Sequence, residues 1–316
     1  MLTAALGFRG HYGLVATFFL VVLLLQPNNT DLYHYSTIYY EGIYSAESGY
    51  NLLQEFMQDL IPNRQIGFEI IKLISPILVF LVFAFSPRRW ALMMGSQFLF
   101  LSVFNNLRQG FAAVCLLSAV YVLKKVPGPF RILVSTTLFI IATQFHVSSA
   151  LVGAIVLAVI VSWHNIGARQ SMYVLIALSI CMTLVVFGFM QLDGNYGNYL
   201  RDDYYDASDS RTDPFVKWIV LTLYLLMTTS LTVFDEMDWT EQVAFITRLC
   251  CFAVGAVAAF VFSYSELAAR VGFYFLAFDA YYLSYLLSTR APSWRYSGSY
   301  VVSNALSPSV TTILFR

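Results

Sequence analysis

Charge is the scarcest thing in this chain. Eighteen basic and eighteen acidic residues make up only 11% of 316 positions, against about a quarter in a soluble domain. The two signs cancel to a formal net charge of zero, which leaves a nucleic-acid partner without electrostatic support. Cysteine is scarce too. Cys115, Cys181, Cys250 and Cys251 all fall inside apolar runs without ligand-like spacing, so they read as small core residues rather than a disulfide or zinc set. No Walker motif, GxGxxG, internal repeat or low-complexity tract occurs, so nothing here powers transport by nucleotide hydrolysis. The first apolar run, 14–25, lacks the small-residue cleavage pattern of a signal peptide and leads into Gln26-Pro27-Asn28-Asn29. It reads as a retained helix.

Apolar side chains are what the chain has in excess: 59% of residues are hydrophobic and the mean hydropathy is +0.68. Runs of about 20 apolar residues cross a bilayer, and about ten are present. They lie at 6–26, 66–85, 90–107, 109–124, 130–145, 146–163, 171–191, 214–234, 241–263 and 267–287. The expected fold is therefore all-α: a polytopic integral membrane protein, one transmembrane domain over 1–316.

Lysine and arginine set the orientation. With both termini cytoplasmic, the inner segments hold Arg9, Arg88, Arg89, Lys124, Lys125, Arg131, Arg169, Arg290 and Arg295. Most acids, from Asp31 to Asp59 and from Asp193 to Asp213, then face outward. Asp235-Glu236-x-Asp238 is the one discordant turn, and acids weigh little in this rule.

Two outer loops are long. In the first, 27–65, the run SGYNLLQEFMQDL puts Tyr50, Leu53, Phe56, Met57 and Leu60 on one helical face, which predicts an amphipathic helix at the membrane interface. The second, 192–213, is rich in tyrosine and acids. That composition suits a glycan and equally suits a solvated loop.

The stretch from Phe104 to Ser149 organises the rest. Two apolar spans carry Asn105-Asn106-x-Arg108-Gln109 at one end and Phe145-His146-x-Ser148-Ser149 at the other, joined by the basic turn Lys124-Lys125-x-Pro127-Gly128-Pro129-x-Arg131. A hairpin with that turn in the cytoplasm places Arg108 and His146 together at the outer face. Arg64, Arg211, Glu266 and Arg270 gather at the same face under this topology. Arg108 and Arg270 stand near helix starts, where free N–H groups and the dipole favour anions, and a guanidinium adds a fork matched to phosphate oxygens. Headgroup snorkelling explains such arginines as well, as does pairing of Arg270 with Glu266. For Arg108, the polar neighbours Asn105, Asn106 and Gln109 inside apolar sequence favour a functional role. His146, at the start of the span 146–163, is placed as a neutral general base; capping is its plain alternative. Glu69 and Lys72, at i and i+3, read as a structural pair, and Asp279 as another polar group needing a partner.

These residues carry a resemblance. The arginine–glutamine and phenylalanine–histidine motifs, with Asp31-x-x-x-Tyr35, Glu47-Ser48-Gly49-Tyr50 and Arg270-x-x-x-Tyr274, resemble the EpsG family of bacterial polysaccharide polymerases, of the Wzy type, over about 30–287. The resemblance implies joining of oligosaccharide repeat units carried on undecaprenyl diphosphate, donor and acceptor alike, at the outer face of the bacterial plasma membrane. It implies no cofactor and no metal. A chain-length regulator and a flippase of the same pathway are the partners it suggests, beside the bilayer itself. In that reaction Arg108 and Arg270, with Arg64 and Arg211, are the candidates to hold the leaving diphosphate. Gln109, Asn105 and Tyr35 are further substrate contacts. His146 is the first candidate for the base, followed by Glu266 and Asp31. A flippase or exporter for the same lipid-linked saccharide and an O-antigen ligase are the alternative functions.

Overall fold

A computed structural model describes residues 30–43, 47–83, 107–125, 129–192 and 239–261, with shorter pieces between 219 and 282. Among the described residues every regular element is an α-helix, as the hydrophobic pattern predicts. In chain order they are α1 (Thr30–Glu41), α2 (Ser48–Leu60), α3 (Arg64–Phe83), α4 (Leu107–Lys125), α5 (Phe130–Phe145), α6 (Ser148–Ile166), α7 (Ala168–Leu192) and α8 (Trp239–Phe260). The predicted spans 6–26 and most of 90–107 and 214–234 lie outside the described residues, as does the tyrosine-rich loop. The chain forms two compact units, residues 1–153 and 154–316.

The first unit is built around α4. Every residue from Leu107 to Tyr121 is buried except Arg108. A helix apolar on all sides must be surrounded to be stable, and α3 and α5 flank it. The Ser135 hydroxyl of α5 donates to the Ala119 carbonyl of α4 at 3.1 Å, which satisfies a buried polar group across the helix pair. Helix α2 packs on α5 and α3, and α1 on α3. Their shared core is aromatic: Tyr35, Tyr39, Tyr50, Phe68 and Phe111 are all buried in it.

Helix α1 corrects the reading of 27–65 as a loop with one helix. Tyr35 and Tyr39, one turn apart, enter the core, while Tyr33 and Tyr40 stay on the opposite, exposed side. With tyrosines on both faces the helical period is blurred in the sequence. The helix stops at Gly42, whose φ of 70° lies in the left-handed region that glycine adopts without a Cβ penalty. The Ile43 N–H then closes onto the Ile38 carbonyl at 3.0 Å, a six-to-one bond of the Schellman type.

Helix α2 forms where predicted, but its apolar side chains divide into two stripes. Tyr50, Gln54 and Met57 are buried, with Leu53 packed beside them. Leu52, Phe56 and Leu60, also four residues apart, are each more than 60% exposed. The periodicity identifies apolar stripes at 3.6-residue spacing without deciding which one meets the protein.

One helix among the described residues, Glu241–Phe260 within α8, is long and apolar enough by itself to cross a membrane. The apolar parts of α4, α5, α6 and α7 are shorter, 10–17 residues. Their outward surfaces are nonetheless apolar: Ile132 and Leu133 on α5, Val161 on α6 and Val174, Met182 and Val185 on α7 are all exposed. Exposed apolar side chains of this size and number fit contact with lipid or protein. Glu69 and Lys72 of α3 pair at 2.7 Å, one turn apart, as their spacing predicts.

In the second unit α7 packs against α8. Arg248, in the middle of α8, is wholly buried and forms an ion pair with Asp279, itself 1% exposed. The rings of Phe245 and Tyr282 lie 4.7 Å from the guanidinium carbon, close enough for cation–π attraction. This pair supplies the partner that Asp279 needs.

Candidate functional site

Arg108 is the second residue of α4, where the first N–H groups of a helix have no intrahelical acceptor. Its guanidinium is held from two sides. Nε donates to the Tyr35 hydroxyl at 3.2 Å, and the Tyr35 ring lies 5.2 Å from the guanidinium carbon. Nη1 donates to Glu47 Oε2 in an ion pair whose side chains are 22% and 11% exposed. Burial alone would disfavour the cation; the Tyr35 hydroxyl and the Glu47 carboxylate outweigh it and raise the arginine's affinity for its proton. Among the described residues, Nη2 makes no hydrogen bond. A guanidinium carries five N–H donors in a fixed fork, of which Nε and one on Nη1 are used here.

Glu47 stands at the N-cap of α2 with extended backbone, φ −97° and ψ 117°. An acid there would ordinarily bond its own helix's N–H groups. Here the side chain makes no capping bond and turns to Arg108 instead. The next three residues fix the junction. The Ser48 hydroxyl donates to Gln144 Oε1 at 2.6 Å. Gly49 passes so close to α5 that a Cβ on it would stand 2.9 Å from the Gln144 backbone, which no side chain permits without displacing α2. The Tyr50 ring lies 5.7 Å from that of Tyr35. Burial, with Tyr35 beside it, pushes the Tyr50 phenol well above its ordinary range, and its hydroxyl is buried without a hydrogen-bond partner among the described residues. All four residues of Glu47-Ser48-Gly49-Tyr50 thus serve to seat α2 against Arg108 and α5.

His146 follows at the same end of the unit. Phe111, one turn after Arg108, stacks on Phe145 with ring centres 5.0 Å apart and planes 14° from parallel. His146 closes α5 rather than opening α6: its N–H bonds the Ala142 carbonyl at 3.1 Å, and its carbonyl accepts from the Ser149 N–H at 3.0 Å. Helix α6 starts two residues later, at Ser148. The Ser148 hydroxyl and His146 Nδ1 are 2.6 Å apart, and the imidazole is buried. For His146 to accept a proton at Nε2, Nδ1 must carry hydrogen and donate it to Ser148. The Ser148 hydroxyl can accept from that N–H, so the contact is compatible with the tautomer that a base at Nε2 requires.

The other predicted site residues divide. Tyr35 joins Arg108 directly, and Gln109 is buried beside it on α4. Arg64, at the start of α3, donates Nη1 to the Tyr40 carbonyl at the end of α1, where a cation complements the helix dipole. Asn63 caps that helix, its Oδ1 accepting from Gln65 and Ile66 N–H at 3.1 and 3.2 Å. Arg270 belongs to the second unit, half-buried in a helical stretch. Asn105, Arg211 and Glu266 lie outside the described residues, as does the side chain of Asp31. Sequence reasoning quotes Glu47 only as part of a motif and does not pair it with Arg108, 61 positions away. The available signal is an acid two residues before a glycine at a helix start, in a chain with an arginine needing a counter-charge.

Helices throughout the described residues, with exposed apolar side chains on several of them, are consistent with a membrane protein. The chain belongs to the EpsG family, whose model matches residues 11–303. Family membership implies a role in exopolysaccharide biosynthesis. Neither a curated protein nor a solved structure matches it.

Proposed function

We propose that this chain is a polysaccharide polymerase that joins undecaprenyl-diphosphate-linked repeat units at the outer face of the bacterial plasma membrane. The observation that carries the reading is a guanidinium fixed by Tyr35 and Glu47 at a helix start in an EpsG chain. Arg108 receives the diphosphate of the donor. A hydroxyl of the acceptor glycan attacks the donor's anomeric carbon, forming the new C–O bond. The bond from that carbon to the diphosphate oxygen breaks, and its electron pair leaves with undecaprenyl diphosphate. Charge grows on the leaving oxygens as the bond breaks, so a fixed guanidinium binds the transition state more tightly than the ground state. His146 accepts the acceptor's proton at Nε2, with Nδ1–H donating to the Ser148 hydroxyl.

The decisive assay uses purified full-length protein in nanodiscs with a lipid-linked repeat unit from its own source. A ladder of products, each one repeat longer, is the expected result. Transfer of a single unit to a different acceptor points to a ligase, and movement without bond formation points to a flippase. The orientation has its own check. Cysteines placed by Asp206→Cys and Lys125→Cys should react with an impermeant maleimide from opposite sides, position 206 from outside; reaction of both from one side removes the outer-face assignment.

A further inference from the structure

Glu47 is the acidic group at the site, and it has no place in that reaction. It is acidic, 11% exposed at its side chain, and bonded to the arginine that would hold a diphosphate. A carboxylate beside an anion site opposes binding, so its presence needs a reason. The reaction supplies one. An unopposed, partly buried arginine grips a diphosphate in the product as firmly as in the transition state, and uniform binding of that kind does not speed turnover. Glu47 occupies one Nη1 donor and Tyr35 occupies Nε, so the fork is held along one edge and Nη2 is not one of the donors used. Its charge is also largely neutralised. The junction is stiff: Ser48 is bonded to Gln144, and Gly49 lies against the Gln144 backbone, so the carboxylate is delivered to Arg108 by a fixed stretch of chain.

We propose, resting on the polymerase reading, that Glu47 is a positioning residue for the leaving diphosphate: it aims the Arg108 fork and weakens its hold, so that the product departs after transfer. Glutamine at 47 keeps the shape and an acceptor oxygen but removes the opposing charge. Coulomb attraction between the diphosphate and an unpaired Arg108 then rises, and binding should tighten by about tenfold. A residue that merely holds the fold would show weaker binding when altered.

The test measures binding of geranyl diphosphate, with geranyl monophosphate as comparison, to full-length wild type, Glu47→Gln, Glu47→Asp and Arg108→Ala in nanodiscs. Product formation from the lipid-linked repeat unit is followed in parallel. Wild type should bind the diphosphate through Arg108. Glu47→Gln should bind it about tenfold tighter while its turnover falls, and Glu47→Asp should return toward wild type in both. If Glu47→Gln binds like wild type or more weakly, the role assigned to Glu47 is wrong and the polymerase reading survives. If wild type shows no Arg108-dependent binding, both are overturned.

Discussion

Arg108→Ala should abolish polymer formation in cells while the protein remains in the membrane at normal level. Removal of a single electrostatic contact to a developing oxyanion costs roughly 10²–10³-fold in rate. Arg108 is also the only residue between Leu107 and Tyr121 that is not buried, so no neighbour on that helix can substitute. Arg108→Lys should be severely impaired as well. Lysine offers a point charge on a flexible stem and cannot bond Tyr35, Glu47 and a phosphate through one planar fork. Product analysis from cells producing each variant, with membrane levels measured by immunoblot, checks both. Wild-type behaviour of the lysine variant would mean that charge suffices without the fork. Wild-type behaviour of the alanine variant would leave Arg108 as an anchor between α1, α2 and α4.

The second large effect is on stability, in the other unit. Arg248→Ala leaves the Asp279 carboxylate buried without its cation and strips the ring pair Phe245 and Tyr282 of the guanidinium between them. Breaking a buried ion pair from one side costs about 3–5 kcal/mol. The protein should fall to low level in membranes, and the purified remainder should melt at lower temperature. Removing both charges together, Arg248→Met with Asp279→Leu, should restore most of the loss, because replacing a whole buried pair with apolar groups is often neutral. Failure of the double variant to recover would show that the pair does more than satisfy itself.

What could be read in the sequence depended on distance along the chain. The span 130–145 coincides with α5 because Pro127-Gly128-Pro129 breaks the helix before it and the apolar run ends at Phe145. The Glu69–Lys72 pair was legible for the same reason: its partners sit one turn apart. Helix α1 was not, since its tyrosines face both ways. Nor could periodicity decide that Tyr50 and Met57, rather than Phe56 and Leu60, enter the core. The pairs that matter most, Arg108 with Glu47 and Arg248 with Asp279, are separated by 61 and 31 residues. Each is created by packing between helices, which local propensity does not encode. His146 was identified from its motif, but its place as the end of α5 rested on hydrogen bonds that a one-residue boundary shift would rearrange.

The covering of α4 has a consequence for how a lipid-linked substrate arrives. With the helix enclosed from Leu107 to Tyr121 apart from Arg108, a polyprenyl tail finds no strip of it to lie along. The tail must follow side chains that do face outward, such as Ile132, Leu133 and Ile140 of α5 or the Leu52-Phe56-Leu60 stripe of α2. In the proposed reaction the substrate's head and its hydrocarbon are therefore received by different helices. A lipid too short to reach those outward side chains would then bring the same headgroup to the membrane with its hydrocarbon unreceived.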